Sequence, residues 1–216
     1  MTTAVIIPTL DPESEMCVAA VDAVAESAPD VFVIVEHDRE RAGFAQTCNA
    51  GAARTTADVL VFLNDDTVVL PGWLDPLVEA VGGPESGVIA GSRLLYPDGQ
   101  IQHTGVFLRR DSLGRLEAYN RRSDRPSGEV PAVTGACLAI DRESWDRLAG
   151  FDEAFVNGYE DVDLCLRHRA AGGTVRYCAE STVIHFESRS PGRFDHAPQN
   201  LDLLQQRWSD LLKEVA

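Results

Sequence analysis

Short apolar runs alternate with helical patterns along the first half of the chain. The runs stand at residues 5–7, 31–35, 59–63 and 88–90, and we predict a strand at each. Every run is apolar throughout, as expected for strands that helices cover on both faces. The alternation is typical of β-α-β units, which predicts an α/β fold with a mostly parallel central sheet flanked by helices.

Helical spacing occupies most of the intervals between these runs. After Pro71, apolar residues at positions 74, 77, 78 and 81 fall on one helical face, and glycines at 82 and 83 end the pattern. Other helices are predicted at residues 11–27, 46–55, 160–171 and 199–213, with a short one that starts near Asp141 and Glu143.

The second half is less regular. Residues 92–130 have a loose pattern, and we expect a variable substrate region there with a possible hairpin. Apolar order returns at residues 133–140, and strands are predicted at 174–178 and 182–186.

Length and charge narrow the classes of protein. The 216 residues favour one domain. The formal charge of −15 repels nucleic-acid backbones and anionic lipids, so nucleic acid is not an expected partner. Lys213 is the only lysine, and a bound diphosphate would therefore need arginines, backbone N–H groups or, most simply, a metal ion.

Membrane spans and disulfides are not expected. The longest apolar runs are far below the roughly 20 residues that a membrane-spanning helix needs, which predicts a cytoplasmic protein without a transmembrane segment. The five cysteines are dispersed and contain no C-x-x-C pair, so we expect buried, reduced thiols.

Two carboxylates and an amide follow the strand at residues 59–63. Asn64, Asp65 and Asp66 stand at its carboxyl end, the edge where ligands bind in open α/β sheets. Adjacent carboxylates repel each other unless a cation lies beside them, which favours Mg²⁺ or Mn²⁺. A solvated turn is the alternative, because the same residues are common in turns. The chain has neither G-x-x-x-x-G-K-[ST] nor G-x-G-x-x-G, which disfavours the nucleotide-binding classes that carry those motifs.

A second acidic cluster, Glu160, Asp161 and Asp163, opens a predicted helix. Acids at a helix start are stabilised by its dipole, so a structural role alone would account for them. The apolar spacing behind them would bury the helix and aim Glu160 and Asp161 into a cleft, where a carboxylate can take a proton from an acceptor hydroxyl.

The five histidines differ in their surroundings. His185 lies in an apolar strand, where a core role is the alternative to a ligand role. His103 and His196 stand in loop-like sequence, and His37 and His168 are expected at the surface.

Together these pieces resemble glycosyltransferase family 2, the inverting nucleotide-sugar enzymes with the GT-A fold that include many rhamnosyl- and glucosyltransferases. The resemblance covers nearly the whole chain and is weakest between about residues 99 and 131. It is carried by V-I-I-P-T at 5–9, G-F-A at 43–45 with N-A-G at 49–51, F-L-N-D-D-T at 62–67 with P-G-W-L at 71–74, T-G-A-C at 134–137, and Y-E-D-V-D-L-C-L-R at 159–167, followed by the histidine at 185.

The resemblance implies a donor site. Nucleotide-sugar contacts are implied for Pro8, Thr9, Glu36, Asn49, Gly51, Asn64, Asp65 and Gly135. Thr9 and Glu36 would hold the ribose and base, with Glu36 in place of the more usual Asp. Cys48 replaces an arginine that often precedes the asparagine at position 49, which weakens the expected donor contacts there.

The resemblance also implies a metal and a base. Asp66 would bind Mn²⁺ or Mg²⁺, with His185 as an extra ligand. Asn64 replaces the first acid of the D-x-D motif, so weaker metal dependence is expected. Asp161 is implied as the catalytic base, and Glu160 as a partner that orients the acceptor.

The implied reaction is a single displacement that inverts the anomeric centre. The donor would be a UDP-, dTDP- or GDP-sugar, and the acceptor a hydroxyl-bearing molecule, most simply a glycan in polysaccharide biosynthesis. One GT-A domain is expected over residues 1–216, with a nucleotide-sugar half to about 92, an acceptor half from about 93 to 198, a closing helix from 199, and possible homo-oligomers. Arg207 and Trp208 resemble part of the Q-x-x-R-W motif of processive members, but Leu204 stands at the glutamine position, and a packing helix of a non-processive enzyme is expected.

Two other functions stay open from the residues. A sugar nucleotidyltransferase shares a similar sheet, but such enzymes generally open with a basic, glycine-rich loop, which residues 10–15 lack. A catalytically inactive subunit that binds nucleotide-sugar or carbohydrate is the second alternative, and the adjacent Glu160 and Asp161 argue against it.

Overall fold

A mixed β-sheet forms the centre of the fold. The computed structural model describes residues 1–82, 87–187 and 195–210. The strands, in chain order, are β1 (Thr3–Thr9), β2 (Phe32–His37), β3 (Val59–Leu63), β4 (Thr67–Val69), β5 (Val88–Leu95), β6 (Ile101–His103), β7 (Val106–Arg110), β8 (Leu116–Asn120), β9 (Gly128–Glu129), β10 (Cys137–Asp141) and β11 (Thr174–His185).

Helices pack on both faces of this sheet. They are α1 (Glu15–Ser27), α2 (Phe44–Ala53), α3 (Asp75–Val81), α4 (Arg142–Arg147), α5 (Glu160–Ala170) and α6 (Ala197–Trp208). Within the described ranges, none of the helices combines the length and apolar character that crossing a lipid bilayer requires.

The central strands lie in the order β2-β1-β3-β10-β5-β11-β4. β1 pairs in parallel with β2 and β3, and β5 pairs in parallel with β11. β10 lies antiparallel between β3 and β5, and β4 is antiparallel to β11. The remaining five strands of this path therefore share one direction, which confirms the predicted α/β fold with a mostly parallel sheet.

The two faces of β3 explain its continuous apolar run. Leu60 and Phe62 pack into one core cluster, whereas Val59, Val61 and Leu63 pack into the other. All five side chains are fully buried, because helices cover the sheet on both sides. On the first side, the ring of Phe62 lies 4.6 Å from Trp145 of α4, measured between ring centroids.

The second half differs from its prediction in several strands. The two strands predicted near the end form one strand, β11, with a register shift between Cys178 and Thr182; the irregular pairing there hides the continuity in the sequence. Strand β10 begins only at Cys137, and β4, β6 and β9 were not predicted because they are two or three residues long. The possible hairpin is confirmed by the antiparallel pair β7-β8.

The expected divisions of the chain fall inside elements. The boundary near residue 92 lies within β5, and the closing helix begins at Ala197, ahead of residue 199. Residues 211–213 of that predicted helix and Gly83 lie outside the described residues. The two halves expected from the sequence thus share one sheet. One domain remains our proposal for the described chain.

His168 was predicted at the surface, and this is wrong. Its side chain is fully buried, and its Nε2 lies 2.7 Å from the carbonyl oxygen of Gly87. The ring lies against Gly173, where an added Cβ would stand 2.2 Å from Nε2. Burial lowers the pKa of His168. Gly173, which was expected only to end a helix, therefore also makes room for this ring.

Asp163 joins the last two helices. It is fully buried on α5 and accepts hydrogen bonds from Arg167 (2.7 Å) on the same helix and from Arg207 (3.1 Å) and Trp208 (3.0 Å) on α6. The Arg-Trp pair therefore has a packing role, as expected for this helix. Arg207 also pairs with Asp152 at 2.6 Å.

We predict that Asp163→Ala lowers the free energy of unfolding by about 3 kcal/mol, because it removes a fully buried carboxylate that accepts three hydrogen bonds and leaves the indole N–H of Trp208 without this acceptor. The measurement is urea denaturation followed by circular dichroism. Asp146→Ala is the matched control: its carboxylate pairs with Arg142 at 3.4 Å but is 63% exposed, so less than about 1 kcal/mol is expected. Equal losses in the two variants would contradict the buried role of Asp163.

Candidate functional site

A cavity of about 450 Å³ opens at the carboxyl ends of the parallel strands. Thr9 ends β1, Asn64 follows β3, and His185 ends β11. The predicted site residues that line the cavity are Pro8, Thr9, Asn64, Asp65, Asp66, Gly135, Glu160, Asp161 and His185. Its volume lies within the usual range for small-molecule sites.

Backbone and side-chain hydrogen bonds fix the turn at Asn64–Asp66. The amide N–H of Asn64 donates to the carbonyl of Ala136 at 3.0 Å, and the hydroxyl of Thr67 donates to the carbonyl of Asn64 at 2.7 Å. The amide N–H of Phe186 donates to the carbonyl of Asp66 at 3.0 Å. The turn is therefore held by both neighbouring chain segments and is not a freely solvated loop.

Asp65 lies beside the end of β1. The hydroxyl of Thr9 donates to its Oδ2 at 2.5 Å. Burial raises the pKa of Asp65, and the neighbouring charge of Asp66 raises it further, whereas the Thr9 hydrogen bond opposes the shift. This carboxylate thus has a fixed orientation beside the strand end for which the family resemblance implies a nucleotide contact.

Asp66 and His185 form a close, buried pair. Asp66 Oδ1 lies 3.2 Å from His185 Nε2, and both residues are about 95% inaccessible to solvent. The side-chain amide nitrogen of Asn64 lies 3.4 Å from the same Nε2. Asn64 Oδ1 is buried and has no hydrogen-bond partner among the described residues.

These side chains are suitable ligands for a hard divalent cation. No group of three His, Cys, Asp or Glu side chains converges among the described residues. The ligands that the protein can offer to an ion here are Asp66, His185 and the adjacent amide of Asn64. Mg²⁺ and related ions commonly use one or two carboxylates, completed by water and substrate phosphates. The set therefore fits an ion that a diphosphate ligand helps to hold.

Asp161 lies at the other side of the cavity, at the start of α5. Its Oδ2 accepts from the backbone N–H of Gly135 at 2.8 Å, and its Oδ1 from the N–H of Val162 at 2.7 Å. Removal from bulk water raises the pKa of Asp161, although these backbone hydrogen bonds favour the anion. The result is an oriented carboxylate whose affinity for a proton exceeds that of an ordinary aspartate.

The turn before α5 is strained. Asn157 and Tyr159 have positive φ angles of 55° and 69°, which is uncommon for residues other than glycine. Glu160 Oε2 accepts from the backbone N–H of Gly158 at 2.6 Å. Glu160 thus lines the cavity and also stabilises the turn that presents Asp161.

The remaining predicted site residues, Glu36, Asn49 and Gly51, do not line the cavity. Glu36 pairs with Arg54 at 2.7 Å. The side chain of Asn49 exchanges hydrogen bonds with the backbone of Phe151 (2.9 and 3.0 Å), and a Cβ at Gly51 would stand 2.5 Å from a methyl group of Ile6. Their geometry supports packing and loop-holding roles instead of donor contacts.

Asp38 and Arg41 line the cavity and were missed. β2 ends at His37, two residues beyond its predicted end, so the acid that follows this strand is Asp38 and not Glu36. Asp38 accepts from the backbone N–H groups of Ala42 (2.7 Å) and Gly43 (2.9 Å). Extending the strand through its polar last residues would have identified Asp38.

The β7-β8 hairpin supplies the opposite wall, including Tyr119 and Asn120. The buried His103 contacts this wall from β6: its Nδ1 lies 2.9 Å from Asn120 Oδ1. Burial lowers the pKa of His103 to about 4. His103 is therefore a neutral support behind the wall, in a strand where a loop was expected, and His196 is exposed ahead of α6.

The chain resembles known proteins in sequence. The family model described as glycosyltransferase-like family 2 matches residues 1–210. The O-antigen biosynthesis protein RfbC of Myxococcus xanthus is 36% identical over 161 residues, which cover 70% of this chain and 12% of that protein. The chain thus spans a small part of the length of the curated relatives it matches.

Solved structures share the fold. A structure of GalNAc-T7 with UDP, GalNAc and Mn²⁺ has a TM-score of 0.74 at 17% identity, covering 94% of this chain and 47% of that one. The mannosyltransferase PcManGT from Pyrobaculum calidifontis, in complex with GDP-Man and Mn²⁺, has a TM-score of 0.58 at 15% identity, covering 99% and 64%. With the family model matching nearly the whole chain, the chain belongs to glycosyltransferase family 2 and has the GT-A fold.

Proposed function

We propose that the chain transfers a sugar from a nucleoside-diphosphate sugar to an acceptor hydroxyl, with a divalent metal and with inversion at the anomeric carbon. One observation carries the proposal: the Asp66–His185 pair and the hydrogen-bonded carboxylate of Asp161 face the same cavity. The first can hold the metal of a diphosphate leaving group, and the second can accept the acceptor's proton.

The donor would lie along the ends of β1 and β2. Pro8, Thr9 and Asp38 line that part of the cavity, and Arg41 is the only lysine or arginine lining it among the described residues. In an acidic cavity with one arginine, the diphosphate requires further positive charge, which supports a bound metal. UDP and GDP in the neighbouring structures support a donor of one of these classes, and a dTDP-sugar is the remaining choice.

The metal, Mn²⁺ or Mg²⁺, would be held by Asp66 and His185, with Asn64 beside them. When bound, it would neutralise charge on the leaving diphosphate. Asp65, fixed by Thr9, would contact the donor sugar, and Gly135, packed closely against Phe44, would form part of the wall beside it. An added Cβ at Gly135 would meet the ring of Phe44 at 3.1 Å.

Asp161 would act as the general base. It takes the proton of the acceptor hydroxyl, the hydroxyl oxygen bonds to the anomeric carbon, and the bond from that carbon to the diphosphate oxygen breaks. The nucleoside diphosphate leaves with the electron pair, and one displacement inverts the configuration. The O-antigen relative supports a glycan acceptor, which would lie against the β7-β8 hairpin and α6.

We predict that Asp161→Asn lowers kcat by about 10²–10⁴-fold, the usual effect of losing a general base, and leaves nucleotide binding near normal. The amide keeps the shape but cannot accept the proton. Transfer is measured by release of the nucleoside diphosphate with a glycan acceptor present. Asp22→Asn, an exposed substitution on α1, is the control, and near-normal turnover in Asp161→Asn would exclude this base.

The pH profile provides a second prediction. Asp161 must be ionised to act as a base, and its pKa is raised. As pH falls, kcat/KM should decline through a midpoint above the ordinary aspartate pKa of about 3.9. Circular dichroism at each pH checks that the protein stays folded. A profile that stays flat down to the ordinary value would contradict the assignment.

Metal dependence is tested by thermal shift. UDP-, dTDP- and GDP-sugars are each added with and without Mn²⁺, and we expect one nucleotide class to raise Tm in a Mn²⁺-dependent manner. Asp66→Ala should abolish the Mn²⁺-dependent part, because it removes the anionic ligand, whereas Asp22→Ala should retain it. Stabilisation by a nucleotide without any transfer would favour the binding-subunit alternative, and no stabilisation by any nucleotide would contradict the donor site.

A further inference from the structure

Gln102, on the short strand β6, contacts the metal-site histidine through both ends of its amide. Its Oε1 lies 2.7 Å from His185 Nδ1, and its Nε2 donates to the main-chain carbonyl of His185 at 3.3 Å. Gln102 is 4% exposed and stands 83 residues away in sequence. It does not line the cavity, and no sequence motif identified it.

The second contact fixes the orientation of the amide. A main-chain carbonyl only accepts hydrogen bonds, so the atom of Gln102 that faces it must be the NH₂ group. Oε1 therefore faces the imidazole, and because Oε1 only accepts, Nδ1 must carry a hydrogen. In the neutral ring, the lone pair then belongs to Nε2.

That lone pair is directed at the metal ligands already described. Nε2 lies 3.2 Å from Asp66 Oδ1 and 3.4 Å from the Asn64 amide nitrogen. In this tautomer the NH₂ group of Asn64 is the donor that faces the lone pair, and the Asp66 oxygen lies beside it. The buried Asn64 Oδ1, unpartnered among the described residues, is one further oxygen at the same place.

We propose that Gln102 is a positioning residue for the metal site, an inference that rests on the metal-dependent function proposed above. It holds His185 in the tautomer with hydrogen on Nδ1 and fixes the direction of the ring, so that Nε2 is available as a ligand beside Asp66. Gln102 lies outside the cavity lining, also contacts the side chain of Tyr96, and acts on the metal site through His185. Partners that orient a ligand histidine in this way commonly change metal affinity 10–100-fold when removed.

A simple packing role would leave a different signature. If Gln102 only filled space, its replacement by a similar apolar side chain would affect stability and metal affinity regardless of His185. If it acts through His185, the loss in metal affinity must disappear once the imidazole is absent. A double-mutant cycle separates these cases.

The experiment measures the affinity of the whole chain for Mn²⁺ alone, from the loss of the free-ion signal in electron paramagnetic resonance. We expect Gln102→Leu to weaken binding 10–100-fold and Gln102→Glu, which keeps an acceptor for Nδ1 but loses the donor to the His185 carbonyl, to weaken it less than Gln102→Leu does. In the His185→Ala background, Gln102→Leu should cause no further loss. Gln100→Leu is the matched control, because Gln100 is exposed and its side-chain amide donates to Asp98 within the same turn.

The outcomes are distinguishable. Binding by Gln102→Leu within about threefold of wild type, or an equal loss with and without the imidazole, would overturn the positioning role and leave the proposed function intact. Absence of Mn²⁺ binding by the wild-type chain, with or without UDP or GDP, would overturn the metal-dependent function and this role together. Circular dichroism of each variant confirms that a lost affinity does not reflect unfolding.

Discussion

The main chain of two adjacent residues, Gly135 and Ala136, connects the two sides of the cavity. The carbonyl of Ala136 accepts from Asn64, and the N–H of Gly135 donates to Asp161. These residues lead into β10, the antiparallel strand inserted between β3 and β5. The separation between the Asn64–Asp66 turn and Asp161 is therefore set by main-chain geometry within one short segment. Catalysis by displacement depends on such fixed separations.

Like charges concentrate around this segment. Asp65, Asp66, Glu160 and Asp161 all line one cavity in a chain with a formal charge of −15. Three of these carboxylates are held by hydrogen-bond donors: Asp65 by Thr9, Glu160 by the N–H of Gly158, and Asp161 by the N–H groups of Gly135 and Val162. These hydrogen bonds offset part of the repulsion, and a divalent ion with a diphosphate would complete the balance at Asp66.

The sequence predicted the parts whose residues are buried on both faces. β3 matches its prediction from Val59 to Leu63, because helices on both sides require an apolar residue at every position. Short strands such as β4 and β6 were missed, since three residues contain too little pattern. His168 was placed at the surface because nothing local indicates a ring buried against a glycine five residues later. Recognising Asp38 required the true end of β2, and recognising Gln102 required its contact with His185, 83 residues away. The spacing of residues along the sequence contains neither.

The spacing along α6 has a consequence for how the cavity can vary. Asn200, which lines the cavity and bonds to the backbone of Val156, stands seven residues before Arg207, which is tied to Asp163. Seven residues of α-helix span about 10 Å, so α6 is held at two points about that far apart, at Asp163 on α5 and at the backbone of Val156. The position of Asn200 in the wall therefore depends on the contacts of Arg207, which does not itself line the cavity. The shape of the cavity can thus change through residues outside it, while the sheet and the Asn64–Asp66 turn stay as they are.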